Sequence, residues 1–253
     1  MTQASEMLKS ALWTSLQPLF LLLFGIFFIT LFAAACIYIY RYTRYQKSIY
    51  KPLSEQSFWR VFKDTGAYGE YLTVEKLAQI QGNKKILINT YLPKAGKPEE
   101  TTEIDVLLIH TKGIFVLESK NYSGWIFGKE KDRYWTQCLN SRTKTKFYNP
   151  ISQNATHIKA LQKTLPQIPN EAFNSIIVFS ERCELKKLTV QSNIPVIKRN
   201  NLLHIMRDII ESSDTNFDDM QIEEIYYAII NKRITEKGTK EKHIETIKTN
   251  YKN

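Results

Sequence analysis

The stretch EIDVLLIHTKGIFVLESKN, residues 103–121, decides how the rest of the chain is read. Two apolar runs, Ile104–Ile109 and Ile114–Ser119, flank His110-Thr111-Lys112-Gly113 and read as a β-hairpin. Alternation along a strand puts Asp105 on one face with Leu107 and Ile109, and Glu118 and Lys120 on one face with Ile114 and Val116. Both faces of both strands are apolar, so the hairpin is expected inside a sheet covered on both sides. A carboxylate in such a strand is costly unless it is paired or bound to a cation. If Thr111-Lys112 is a two-residue turn, His110 pairs with Gly113 and Asp105 falls opposite Glu118, with Cβ atoms about 4.5–5.5 Å apart. If Gly113 joins the turn, the two acids become diagonal neighbours. At either spacing they repel each other in isolation and together suit a hard divalent cation such as Mg²⁺. Lys120 reaches the same face, where an ammonium can stabilise charge developing on a phosphate. A metal would lower the pKa of a bound water and make it a nucleophile at neutral pH. The trio therefore suits metal-assisted hydrolysis of a phosphodiester. Taken singly, these residues read more simply as a strand-end ion pair, Glu118 with Lys120, beside a solvated Asp105. The combination across one apolar hairpin favours the chemistry.

Outward from the hairpin, helices and strands alternate without a fixed repeat. Gly66–Gln81 reads as a helix closed by Gly82-Asn83, Lys85–Leu92 as a strand, and Pro93–Thr102 as a turn-rich loop. Trp125–Gly128 and Tyr134–Leu139 read as further strands, and Ser152–Leu165 as a helix with Ile158, Leu161 and Leu165 on one face. Ser175–Phe179 and Ile194–Ile197 read as buried strands, Leu202–Ile210 and Met220–Ile230 as helices. This order implies an α/β fold, a mixed sheet flanked by helices. A basic segment, Lys129–Lys146, lies between the hairpin and the helix from Ser152; Arg142, Lys144 and Lys146 stand there among Tyr134, Trp135, Phe147 and Tyr148. Basic side chains there could hold phosphates and the aromatics could stack on unpaired bases, although Trp135 alone reads better as core.

The N-terminal region differs in kind. The chain has 253 residues and a formal net charge of +10, yet no charged residue or histidine lies between Lys9 and Arg41. Leu19–Tyr40, at ~1.5 Å rise per residue, is long enough to cross a hydrocarbon core of about 30 Å as a helix. Its apolar run continues past Ala33-Ala34-Ala35, which favours a retained anchor over a cleaved signal peptide. Arg41, Arg44, Lys47 and Lys51 follow closely, so the positive-inside bias expects the remainder in the cytoplasm, on a single-pass protein of the cell membrane. The expected organisation is a short outer N-terminus (1–18), a transmembrane helix (19–40), a basic connector (41–64), a catalytic domain (65–230) and a basic tail (231–253).

Several classes are excluded. Cys36, Cys138 and Cys183 are far apart, with no histidine at metal-ligand spacing, so a zinc site and a disulfide framework are not expected. GWIFGKE (124–130) has too few residues between its glycines for a phosphate-binding loop and no Ser or Thr after Lys129. Gly66 and Gly69 read as the turn into a helix that presents Glu70. His157 stands four residues after Gln153 and could face the same site, though a helical histidine is more often a surface residue.

Three segments together, GAYGE (66–70), EID (103–105) and GIFVLESKNYSG (113–124), resemble the nuclease-related domain, NERD, of the PD-(D/E)XK nuclease superfamily. NPISQ (149–153), opening a helix that continues HIKAL, is similar to the same pattern; the resemblance covers roughly Thr65–Leu165. It implies a restriction-endonuclease-like mixed sheet and a nuclease using Mg²⁺ or Mn²⁺ on nucleic acid, DNA above all. It further implies Asp105 and Glu118 as metal ligands, Lys120 as the catalytic lysine, Glu70 as an additional acid and Gln153 as the polar residue of the downstream helix. Ile104 stands where the superfamily has proline, a small departure because the carboxylate does the work. The rival reading is a catalytically inactive module of the same fold that binds nucleic acid or a protein at the membrane.

Overall fold

A computed structural model describes residues 2–140 and 143–234. The chain divides into two units, Met1–Ser48 and Ile49–Asn253. The first is a helix, α1 (Thr2–Gln46), which extends the expected span in both directions and carries Pro18 within it. Over Ser5–Gln46 it is long and apolar enough to cross a membrane by length and composition. A helix of that kind near an N-terminus serves as a membrane span or as a signal sequence.

The second unit begins with α2 (Tyr50–Ser54), α3 (Phe58–Lys63) and α4 (Thr65–Leu77). The region expected as a plain connector thus holds two short helices. They form because Tyr50, Phe58 and Val61 have a core to enter, and because the Ser57 and Asp64 side chains accept from the first-turn N–H groups of α3 and α4. Then follow β1 (Lys84–Lys94), β2 (Lys97–His110), β3 (Gly113–Lys120), β4 (Gly124–Lys129), β5 (Tyr134–Cys138), β6 (Lys144–Tyr148) and α5 (Pro150–Thr164). The chain closes with β7 (Phe173–Phe179), β8 (Cys183–Thr189), β9 (Val196–Lys198), α6 (Leu202–Ser212) and α7 (Asp219–Lys232). The stretch 93–102 is not a loop. The β1 and β2 strands run through it to a tight turn at Ala95-Gly96, where Gly96 takes φ 82°. Strand pairing with a ready neighbour outweighs the weak β-propensity of its Pro, Lys and Glu residues.

Two mixed sheets result. The larger has the order β1-β2-β3-β7-β9, antiparallel from β1 to β3 and parallel from β3 to β9. The smaller has the order β6-β5-β4-β8. One core lies between the large sheet and α5 and α7: Leu107, Ile109, Ile114 and Val116 from the hairpin meet Leu161, Ile222, Ile225 and Ile229. The alternate residues, Val106, Leu108, Phe115 and Leu117, are also fully buried, on the face that α4 covers. The hairpin is therefore buried on both sides, as its sequence requires. A second core joins the sheets, where Ile126, Trp135 and Phe147 pack with Ile177 and Phe179. Trp135 is completely buried, and Gly128 lies against its ring, where a Cβ would come within 2.3 Å of Trp135 Cγ.

Candidate active site

The β2–β3 register follows the two-residue turn: pairing runs from His110↔Gly113 to Val106↔Leu117. Asp105 and Glu118 are the next positions outward, past the last pair. There the Asp105 side chain replaces the ladder, its Oδ2 accepting from the Ser119 N–H at 2.9 Å. On the other side of β2, Ile88 pairs with Val106 and Thr90 with Ile104, but the Asn89 that faces Asp105 is passed over. Asn89 has φ 45°, the left-handed conformation that asparagine tolerates best among residues with a side chain. Its amide donates to Glu70 Oε2 at 3.1 Å, and the Tyr50 hydroxyl donates to the same oxygen at 3.2 Å. The sheet is thus opened around Asp105 from both flanks.

Glu118 is fully buried and held at both oxygens. Its Oε1 lies 2.6 Å from Lys120 Nζ, a close ion pair that falls short of hydrogen-bond alignment. Its Oε2 lies 3.0 Å from His157 Nε2. Lys120 also donates to Gln153 Oε1 at 3.1 Å. Gln153 and His157 project from α5, whose start is fixed by Asn149: its side chain accepts from the Ile151 N–H, with Pro150 in the first turn. His157 is 2% exposed and its Nδ1 meets Thr102 Oγ1 at 2.7 Å, so the expectation of a surface histidine is corrected. Gly69 is corrected too: it sits inside α4, where a Cβ would come within 2.6 Å of Asn121 Cβ, so the glycine serves close packing on the end of β3 rather than a turn.

The two acids are in opposite electrostatic states. Burial, and next the charge of Glu118, raise the Asp105 pKa well above the ordinary aspartate value; Lys120 and the Ser119 N–H oppose this incompletely. Burial also works against an ionised Glu118, but Lys120 and His157 outweigh it and pull the pKa below the ordinary value. Burial disfavours the Lys120 ammonium, yet Glu118 and Asp105 hold its pKa above normal. One lysine thus balances two carboxylates, with Glu70 adding further negative charge near Asp105. Among the described residues no group of three or more His, Cys, Asp or Glu gathers as a ready metal cage. The hard-oxygen donors are the two carboxylates, Asp105 and Glu118. That set fits Mg²⁺ or Mn²⁺, because Mg²⁺ keeps several waters and binds through one or two carboxylates. It also fits because a cation would offset the burial and the Glu118 charge that together raise Asp105.

The sequence-predicted residues divide accordingly. Asp105, Glu118, Lys120 and Gln153 come together. Glu70 joins through Asn89 and through its field at Asp105. Lys144 and Lys146 stand exposed on β6, the edge of the small sheet, alternating with Phe147, which points into the core. Arg142 and the tail from 235 lie outside the described residues. Sequence reading missed Thr102 and Asn89, whose roles depend on contacts between strands and helices, β2 with α5 and β1 with α4; the spacing of His157 from Gln153 was the one available signal.

A family model described as nuclease-related domain, NERD, matches residues 65–180. An uncharacterized protein of Bacillus anthracis is 32% identical over 209 residues, covering 79% of this chain and 92% of that protein. No solved structure matches.

Proposed function

Since the chain belongs to the nuclease-related domain family, we propose that it is a membrane-anchored nuclease that hydrolyses phosphodiester bonds of nucleic acid, DNA foremost, with a divalent cation. The observation that carries this reading is the meeting of Asp105 and Glu118 beyond the last β2–β3 pair, with Lys120 and Gln153 beside them. Asp105 and Glu118 would hold Mg²⁺ or Mn²⁺, which when bound supplies Lewis-acid polarisation of the phosphate and lowers the pKa of water. Lys120, kept protonated by the acids, would neutralise charge that develops on the phosphate. Gln153 would aim that ammonium and hold it off the solvent side. Glu70, steadied by Tyr50 and Asn89, would tune Asp105. Lys144 and Lys146 alternate with a buried Phe147, so their side chains leave the core and are suited to phosphate contacts; Arg142, two residues before Lys144 in the sequence, would add to them by its charge.

The apolar run in α1 and the basic residues Arg41, Arg44, Lys47 and Lys51 after it support an anchor in the cell membrane with the domain on the cytoplasmic side. The decisive experiment incubates the full chain in detergent with labelled DNA and RNA, single- and double-stranded, with Mg²⁺, Mn²⁺ or a chelator. Cleavage that needs the ion and disappears in Glu118→Gln supports the reading. Ion-independent binding without cleavage would favour the inactive module, and cleavage surviving in Glu118→Gln would move the site elsewhere.

A further inference from the structure

We propose that His157 is the positioning residue of the site: its ring, braced by Thr102, fixes which oxygen of Glu118 is offered to a cation. The inference rests on the reading of Asp105 and Glu118 as the cation-holding pair.

The argument begins with matched spacings. Residues four apart on a helix are separated by ~6 Å along its axis, and residues two apart on a strand by about 6.6 Å. Gln153 and His157 on α5 therefore meet Lys120 and Glu118 on β3 as two rungs, Gln153 to Lys120 at 3.1 Å and His157 to Glu118 at 3.0 Å. A third tie sets the helix at the same height: Asn154 Nδ2 donates to the Val116 carbonyl and to Ser175 Oγ, both at 2.8 Å. The helix cannot slide along the strand without breaking all three.

The ring is fixed at both nitrogens. An ionised Glu118 only accepts, so Nε2 donates to it, and Nδ1 lies 2.7 Å from the Thr102 hydroxyl. Thr102 belongs to β2, three residues before Asp105, so one ring ties the strand of the first acid to the carboxylate of the second. With Oε2 engaged by a buried donor, the carboxylate cannot rotate, and Oε1, which makes no hydrogen bond and is held only by its ion pair with Lys120, is the oxygen presented to a cation. Outer partners of this kind typically govern metal affinity by 10–100-fold.

The test is calorimetric titration of the full chain in detergent with Mn²⁺ and with Mg²⁺, alongside thermal melting. His157→Leu, near in size but without a donor, should remain folded and bind either ion roughly 10–100-fold more weakly. His157→Gln, whose amide can still donate to Glu118, should stay within about threefold of the wild type, and Thr102→Val should fall between them. Equal affinity in His157→Leu and the wild type would overturn the inference alone. So would an equal loss in the Leu and Gln variants, because the effect would then follow ring shape and not the donor. A wild type that binds neither ion would overturn the reading of the site and this inference with it.

Discussion

The two ends of the β2–β3 hairpin each bury a histidine to the same degree, 2% exposed, and use it for different ends. At the closed end, His110 accepts from the Lys112 N–H at Nδ1 and meets the Gln81 carbonyl from Nε2 at 2.8 Å. At the open end, His157 is likewise held at both ring nitrogens, but Nε2 meets the Glu118 carboxylate. The closed end is paired to its last residue and lined by Ile109, Ile114 and Phe115. The open end has lost its ladder on both sides of Asp105 and carries two acids against one lysine. Burial and a contact at each ring nitrogen are thus shared. The difference lies in the partner: a backbone carbonyl completes a turn, whereas a buried carboxylate holds charge that can be used. In this hairpin the ladder is given up at the end where the charge sits, consistent with strain and unpaired backbone collecting at functional positions.

The sharpest way to break the contrast is to neutralise the two acids one at a time. Glu118→Gln should abolish ion-dependent cleavage and also destabilise the metal-free chain by about 3 kcal/mol, because it leaves Lys120 buried without its partner. Asp105→Asn should abolish cleavage equally but raise the melting temperature in the absence of metal. The sign follows from its raised pKa: a group whose folded-state pKa exceeds the unfolded value stabilises at low pH and loses that contribution as pH rises through the folded value. At pH 7, above the unfolded value, Asp105 therefore weighs against the fold, and an amide removes the weight while still accepting from Ser119. Nuclease assays with paired melting curves in chelator check both; matching stability changes would show that the acids are not in opposite states.

A change at the closed end should separate stability from chemistry. Gly82 has φ 99°, and a Cβ there would lie 2.6 Å from His110 Nε2. Gly82→Ala should cost about 1–3 kcal/mol in denaturant unfolding while leaving cleavage by the remaining folded protein unchanged. A loss of turnover in folded protein would mean that the two ends communicate.

The smallest expected effect is the pH response of that end. Burial, opposed by the Gln81 carbonyl, lowers the His110 pKa. Its contribution to stability is therefore complete above the unfolded value of about 6.5 and is lost as pH falls below it towards the folded value. Melting temperature should decline through that window, and His110→Asn should show a shallower decline from a lower starting point. An identical slope in both proteins would assign the decline to other groups.

How much of this was legible beforehand depends on the range of the interaction. The hairpin and the joint position of Asp105, Glu118 and Lys120 follow from period-two patterning and a short turn, both local properties; the choice between the two turn lengths, and so the register, came from the structure. The α5 helix was legible from the apolar spacing of Ile158, Leu161 and Leu165, whereas Gln153 was singled out only by the family resemblance of NPISQ. The stretch 93–102 was misread because its residues are weak strand formers that pair only when a partner strand is in place. Strands β6 and β8, rich in lysine and threonine, escaped notice because an edge position leaves little apolar signal to read.

By itself, then, the sequence determined that an apolar hairpin would carry two acids and a lysine at one end, that helices would cover a mixed sheet, and that the apolar, charge-free stretch Leu19–Tyr40 would be a helix. Those conclusions need only alternation, helical periodicity and the cost of burying charge. Tertiary structure alone decided that Asn89 would turn left-handed opposite Asp105, that Glu70 would reach the site through it, and that Thr102 and His157 would meet at Glu118. These residues are separated by tens of positions along the chain and become neighbours only when β1, β2, β3 and α5 pack. A hydrogen bond a few ångströms long has no signature in residue order until the fold has brought its two ends together.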